Sequence, residues 1–431
     1  MPHFNSENKL ISNKKSPQRR AVKTPEEILK HTHTPAKEDI PEKQNSGAQK
    51  RKAKKKSSAG KYIGRVFISL GVMLVLLVFV AFSLVSTVAN GPSPTLRDQL
   101  VLMAMQASAT KWVPGLFLPE ETVNKIVADS KITTTETISI NDYQQSNIVF
   151  GESSKNINFN VDNKAEITSE DPWKNAVDGM IFQTLSGKTF KAYVLLVKDP
   201  SRVYVGTSSD YKSQKSGMDI FNIAKKYNAV AAINGGEFSD PGGVGDGGAP
   251  IGITYSQGQL MWTDKHTNRT FIGIDKNDKL VVSEGMNKAT AESLGIRDGV
   301  CFQTGNVLIT NDGSNVTLHR ADGNTGTAQR TAIGQTADGT IILLVTDGRT
   351  SSSLGATHND VIDIMVSYGA VTAGMLDGGS SAMMYYDNYF EKYEYDFEKL
   401  DPYQKRGLVN KYKAFTDPRL IPTYFIVGGE G

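Results

Sequence analysis

Between Val66 and Val88 the chain reads VFISLGVMLVLLVFVAFSLVSTV, 23 residues without a charge. A helix needs about 20 apolar residues to cross a bilayer, where every peptide group must be bonded within the segment. A cleavable signal peptide has a shorter apolar core, ~7–15 residues behind a short basic start, whereas more than sixty residues precede this run. Residues 62–89 therefore read as one transmembrane helix, and whatever folds must do so on one side of it. Lys54, Lys55, Lys56, Lys61 and Arg65 stand before the run, and no charge follows it until Arg97. The positive-inside rule places the N-terminus in the cytoplasm and residues 89–431 outside, as a single-pass plasma-membrane protein.

The overall charge of +3 hides a split across that helix. Residues 1–61 hold 16 Lys/Arg against 6 Asp/Glu, leaving −7 for the other 370 residues. A tail so polar and so rich in Lys, Pro, Ser and Asn has too little apolar surface to offset its ordering entropy, so it reads as disordered. Its densest run, Lys50–Lys56 (KRKAKKK), ends beside the membrane segment. That position makes it a topology signal with a possible contact to anionic lipid headgroups, not a nucleic-acid site. The single cysteine, Cys301, rules out an intramolecular disulfide and any cysteine-based zinc site.

After the helix, Leu96–Ala109 and Pro119–Ser130 read as two helices of a membrane-proximal stalk, and Lys131–Glu170 as a linker. Together these make residues 90–170, with the main domain at 171–431. Strand-like runs dominate that domain. Lys191–Lys198 and Arg202–Thr207 read as neighbouring strands across a Pro200 turn, and Thr270–Asp275 and Lys279–Val282 as a hairpin. Met218–Tyr227 is an amphipathic helix leading to a strand at Ala229–Ile233. Val361, Ile364, Met365 and Tyr368 follow the helical spacing. Thr357 with Asp360 three residues on reads as an N-cap there, and Gly369 as the stop. Strict βαβ alternation is absent, so the expected class is α+β, with mixed β-sheets and interspersed helices.

Three stretches carry the candidate chemistry. In Ala370–Met383 (AVTAGMLDGGSSAM) a buried strand delivers Asp377 to its end, where Gly378 and Gly379 let backbone approach a ligand. Ala231–Asp240 (AAINGGEFSD) repeats the pattern with Asn234, Gly235, Gly236 and Glu237. Gln329–Gly334 (QRTAIG) is followed by Thr346-Asp347-Gly348-Arg349. Taken in order as N-G-G-x-F, R-T-A-I-G and L-D-G-G-S-S, these resemble the phosphodiester glycosidase family, over roughly residues 190–428. This is the domain of the enzyme that uncovers mannose 6-phosphate by removing N-acetylglucosamine from a phosphodiester. The form here is that of a bacterial-type, membrane-anchored member.

The resemblance implies cleavage between a sugar's anomeric carbon and a phosphodiester oxygen. A phosphate monoester leaves far more easily than a sugar alkoxide, so one carboxylate suffices if cations hold the phosphate. Asp377 is the first candidate for that carboxylate, with Glu237 and Asp347 next. The family commonly has an aromatic residue where this chain has Glu237. Arg330, beside Thr331, is the expected phosphate clamp, and Arg349 could do the same work. Asn234, Gly235, Gly236, Gly378, Gly379, Ser380 and Ser381 are candidate substrate contacts, the serines as neutral hydrogen-bonding groups.

His266, His319 and His358 show no triad spacing. His358 reads as a surface residue in a helix's first turn, and His319 as a loop residue with an outside chance of touching substrate. Pro241–Pro250 (PGGVGDGGAP) lacks the lysine of a P-loop and reads as a flap, with Asp246 as a conceivable ligand. No dense acidic motif points to a metal, so no cofactor is indicated and a divalent ion is left open. Two functions compete. One is a membrane-anchored hydrolase of sugar-1-phosphodiester bonds in cell-surface or exopolysaccharide metabolism. The other is a non-catalytic polysaccharide-binding module that assists polymer assembly or export.

Overall fold

The computed structural model describes residues 59–105, 110–130, 132–147, 159–162, 171, 173–212, 216–241, 247–322, 325–348, 350, 353–412 and 417–429. The basic tail lies outside these, save its last residues. The apolar run is helical over Ala59–Ala89, and its Tyr62–Ala89 portion is long and apolar enough to cross a membrane.

The rest is α+β, with three antiparallel sheets. The largest has nine strands, in spatial order Ile132–Ser139, Asn315–Ala321, Val307–Asn311, Ala370–Leu376, Thr331–Thr336, Ile341–Thr346, Lys191–Val197, Met180–Gly187 and Phe159–Asp162. A five-stranded sheet orders Leu280–Glu284, Thr270–Asp275, Ile296–Phe302, Ile253–Ser256 and Gln259–Thr263. A four-stranded sheet orders Met384–Tyr386, Ala229–Asn234, Thr423–Gly428 and Val203–Thr207. Every strand pair among the described residues is antiparallel, a point the apolar runs alone did not decide.

Alternation along the central strands explains the layering. Gly334 is paired with Ala373, and a Cβ on Gly334 would sit 2.8 Å from the Met365 sulfur of helix His358–Ser367. Gly374, one residue on and so on the opposite face, would put a Cβ 2.7 Å from Ile272 and 3.1 Å from Val282 of the five-stranded sheet. A helix thus covers one face and a sheet the other. That is why Ile341–Thr346 and Thr331–Thr336 are buried at every position, and why Ile341–Val345 is a continuous apolar run. The helix begins with the expected capping box of Thr357 and Asp360, and Gly369 takes a φ of 74° just beyond it.

Two expectations change. Lys191–Val197 and Val203–Thr207 do not pair, because the Pro200–Arg202 turn, capped by Asp199, passes the chain from the nine-stranded to the four-stranded sheet. Within the stretch expected as a linker, two described segments are strands. Ile132–Ser139 pairs with Asn315–Ala321, and Phe159–Asp162 with Met180–Gly187. Between these strands Tyr143 is buried, its hydroxyl donating to the Ala370 carbonyl at 2.6 Å.

Candidate active site

Strand ends from the nine-stranded and four-stranded sheets meet at Asp377. The Asp377 amide donates to the Gly235 carbonyl at 3.1 Å, and Gly236 N–H donates to Thr423 Oγ1 at 3.1 Å. Neither glycine has room for a side chain. A Cβ on Gly235 would lie 2.5 Å from Thr423 Oγ1, and one on Gly236 would lie 2.3 Å from the Cys301 carbonyl oxygen. Their bareness closes the joint between sheets and carries Glu237 to the same place as Asp377.

Asn234 is fully buried and works as a rivet. Its Nδ2 donates to the Asp377 carbonyl at 2.6 Å, while its Oδ1 accepts from Thr331 Oγ1 at 2.8 Å and from the Met383 amide at 3.1 Å. In Asn234 and Thr331, expected as substrate contacts, these side-chain atoms are engaged with one another and with the backbone around Asp377. The Gly378 and Gly379 amides are likewise taken, by Asp377 Oδ1 at 2.9 Å and the Gln329 carbonyl at 3.0 Å.

Asp377 is half-buried at its strand end. Burial raises its pKa from 3.8 to about 6, against the lowering effects of the Ser381 hydroxyl, Arg419 and the Gly378 amide; Glu237 adds a further upward push. The two carboxylates are thus near enough to feel each other. Glu237 is raised chiefly by burial, opposed by Arg269, His266 and Lys111 and aided by Asp264. Arg269 Nε lies 3.0 Å from Glu237 Oε2 as an ion pair whose N–H is not aimed at that oxygen. His266 Nδ1 and Asp264 Oδ2 are 2.9 Å apart.

The residue that sequence reading missed is Arg419. Its guanidinium bonds the Asp240 carboxylate, donates to Ser381 Oγ at 3.3 Å, and lies 5.3 Å from the Phe238 ring centre. The Tyr412 hydroxyl holds both the Arg419 amide, at 3.0 Å, and the Ser380 carbonyl, at 2.7 Å. No short motif surrounds Arg419 in the sequence. The one signal was its place just before the strand that runs beside Asn234.

Arg330, expected to clamp phosphate, turns to backbone carbonyls of Ala356 at 3.2 Å and Gly326 at 3.1 Å. Asp347 is fully buried, accepting from the Tyr193 hydroxyl at 3.1 Å and the Lys411 amide at 2.9 Å. It fastens the loop after the Met384–Tyr386 strand, and burial raises its pKa. His358 is buried, not on the surface. Its ring nitrogen meets the His319 carbonyl at 3.0 Å, and burial pushes its pKa down to about 4. His319 lies in a strand, not a loop, bonded to Thr310 Oγ1 at 2.9 Å. Arg349 and Asp246 lie outside the described residues. No group of three or more His, Cys, Asp or Glu among the described residues is placed to hold a metal ion.

Two carboxylates with flanking arginines at a joint of antiparallel sheets suit attack on a bond to an anionic leaving group. The sequence profile of the phosphodiester glycosidase family matches residues 227–427, and this part of the chain belongs to that family. Over 53 residues the chain is 43% identical to the SPbeta prophage-derived uncharacterized protein YomE of Bacillus subtilis (strain 168), covering 12% of this chain and 8% of that protein. The structure is also similar to the zebrafish N-acetylglucosamine-1-phosphodiester alpha-N-acetylglucosaminidase catalytic domain auto-inhibited by pro-peptide. That match has a TM-score of 0.43 and 16% identity, over 69% of this chain and 89% of that one.

Proposed function

We propose that the protein is a membrane-anchored hydrolase of sugar-1-phosphodiester bonds, acting on cell-surface or exopolysaccharide material outside the plasma membrane. The observation that carries the reading is Asp377, a strand-end carboxylate with its pKa near 6, set beside Glu237 and Arg419. In this reaction the anomeric C–O bond to phosphate breaks and water supplies the new oxygen. The water's proton passes to a carboxylate, and the products are free sugar and a phosphate monoester. A carboxylate with a pKa near the working pH is a competent base that is still largely ionised. Asp377 takes that role, either on water or as nucleophile, while Glu237 is the second acid. Arg419 neutralises charge gathering on the departing phosphate, to which a planar guanidinium can give two parallel hydrogen bonds. Asn234 and Thr331 fix the strand end, so no reorganisation is needed at the moment of reaction.

The test is to incubate the purified protein with sugar-1-phosphodiesters and measure free sugar. Release by the wild type and its loss in Asp377→Asn support the reading. No release from any such substrate would sink it. The anchor and its orientation are tested separately, by protease added to intact cells. Digestion is expected beyond residue 89, and protection of the C-terminal domain would overturn the exported orientation.

A further inference from the structure

Past the long helix, Pro94–Met105 and Glu120–Asp129 share a small core of Val101, Leu102, Val123 and Ile126. The link between them ends in a stiff turn. The amides of Val113, Leu116, Phe117 and Leu118 bond back to the carbonyls of Thr110, Val113 and Pro114, and Pro114 is buried. This turn carries large apolar groups outward, with Trp112 65% and Leu116 56% exposed.

The neighbouring Phe117 shows where the turn stands. Its ring lies 4.8 Å from that of Phe82, six residues inside the end of the uncharged run at Val88. At 1.5 Å per residue that is about 9 Å along the helix axis. If the helix spans a bilayer, a turn in contact with it at this level is not in bulk water. Elements lying in the interface bury their apolar side ~5–10 Å into the headgroup and acyl boundary, and tryptophan is enriched at that depth.

We infer that the Lys111–Leu118 turn is a second membrane contact, seated in the lipid interface at the C-terminal end of the spanning helix, with Trp112 and Leu116 inserted. The inference rests on the membrane-anchored reading above. Lipid is the occupant because the turn continues the exposed apolar surface of the helix, on which Leu74, Val78 and Phe82 are themselves more than half exposed. Lys111 on the same turn offers an ammonium to lipid phosphates. It also helps lower the Glu237 pKa against burial, which puts the turn within electrostatic reach of that carboxylate. The contact would hold the candidate active site at the lipid surface, where it fits glycosyl phosphodiesters presented at the membrane.

The experiment uses the full chain reconstituted into phosphatidylcholine vesicles brominated just below the headgroup. The chain has three tryptophans, so Trp173→Phe with Trp262→Phe leaves Trp112 as the sole emitter. Loss of most of its emission in brominated vesicles is expected. As a check that needs no double variant, Trp112→Phe alone should remove the quenchable part of the wild-type emission. Unquenched Trp112 in a chain that survives alkaline extraction overturns the contact while leaving the anchor standing. A chain washed from the vesicles by alkali removes both. Concentration-dependent cross-linking of the turn to a second copy, without quenching, also overturns the proposal.

Discussion

Asp377→Asn should make the protein more stable and nearly inactive. Asn keeps an acceptor oxygen for the Gly378 amide and a shape that fits beside Ser381, but it carries no charge. Burial raises the Asp377 pKa from 3.8 to about 6, so the folded protein holds that proton more tightly than the unfolded chain. The associated stability is fully present below about pH 4 and is lost as pH rises through about 6. Two pKa units correspond to ~3 kcal/mol. Because Asp377 is half-buried, solvent screening reduces this to an expected ~1–2 kcal/mol. The neutral Asn escapes the loss. Urea unfolding of a chain beginning at residue 90 should show the variant ahead of wild type by that amount at pH 8, with the two converging at pH 4. Turnover on a sugar-1-phosphodiester should fall by orders of magnitude. In the wild type, kcat/KM should rise with pH through about 6 as the carboxylate ionises. A variant equally destabilised at both pH values would refute the argument, because the carboxylate would then be making net favourable contacts.

Arg419→Ala should cost about 10²-fold or more on phosphodiester substrates, as for a lost oxyanion donor, and much less on an activated aryl glycoside. Arg330→Ala, whose guanidinium binds carbonyls, should lower Tm and reduce both activities alike; a loss confined to phosphodiesters would restore it as the clamp. Gly236→Ala forces a methyl toward the Cys301 carbonyl and should cost ~1–3 kcal/mol by overpacking, read as a lowered unfolding midpoint. A chain starting at residue 171 lacks two edge strands and the buried Tyr143. Burying one such ring contributes ~2 kcal/mol, so this chain should melt below one starting at residue 131; equal melts would return the domain boundary to 171.

Local chemistry was legible wherever a residue's role depends on its near neighbours. A helix long and apolar enough to cross a membrane follows from 23 uncharged residues, and the Thr357–Asp360 cap from two side chains three positions apart. The position of Asp377 at the end of a buried strand was legible from the apolar run before it and the two glycines after it. What the sequence could not give are the strands whose polar residues find distant partners. Ile296–Phe302 (IRDGVCF) is a strand with Asp298 buried in its middle, accepting from the Val205 and Gln257 amides at 2.8 Å each. Those two amides, together with the neighbouring Arg297 guanidinium bonded to its other oxygen, make that placement tolerable. The site divides the same way. Asn234 and Thr331 were picked out as polar residues at strand ends, but the fold turns their side chains inward to hold Asp377. Arg419 and Asp240, 179 residues apart, become a pair beside Ser381 only when the strand before Asp240 and the strand after Arg419 lie side by side. An isolated arginine in a loop carries no periodicity and no motif, so tertiary structure alone decided which cation stands next to the acid.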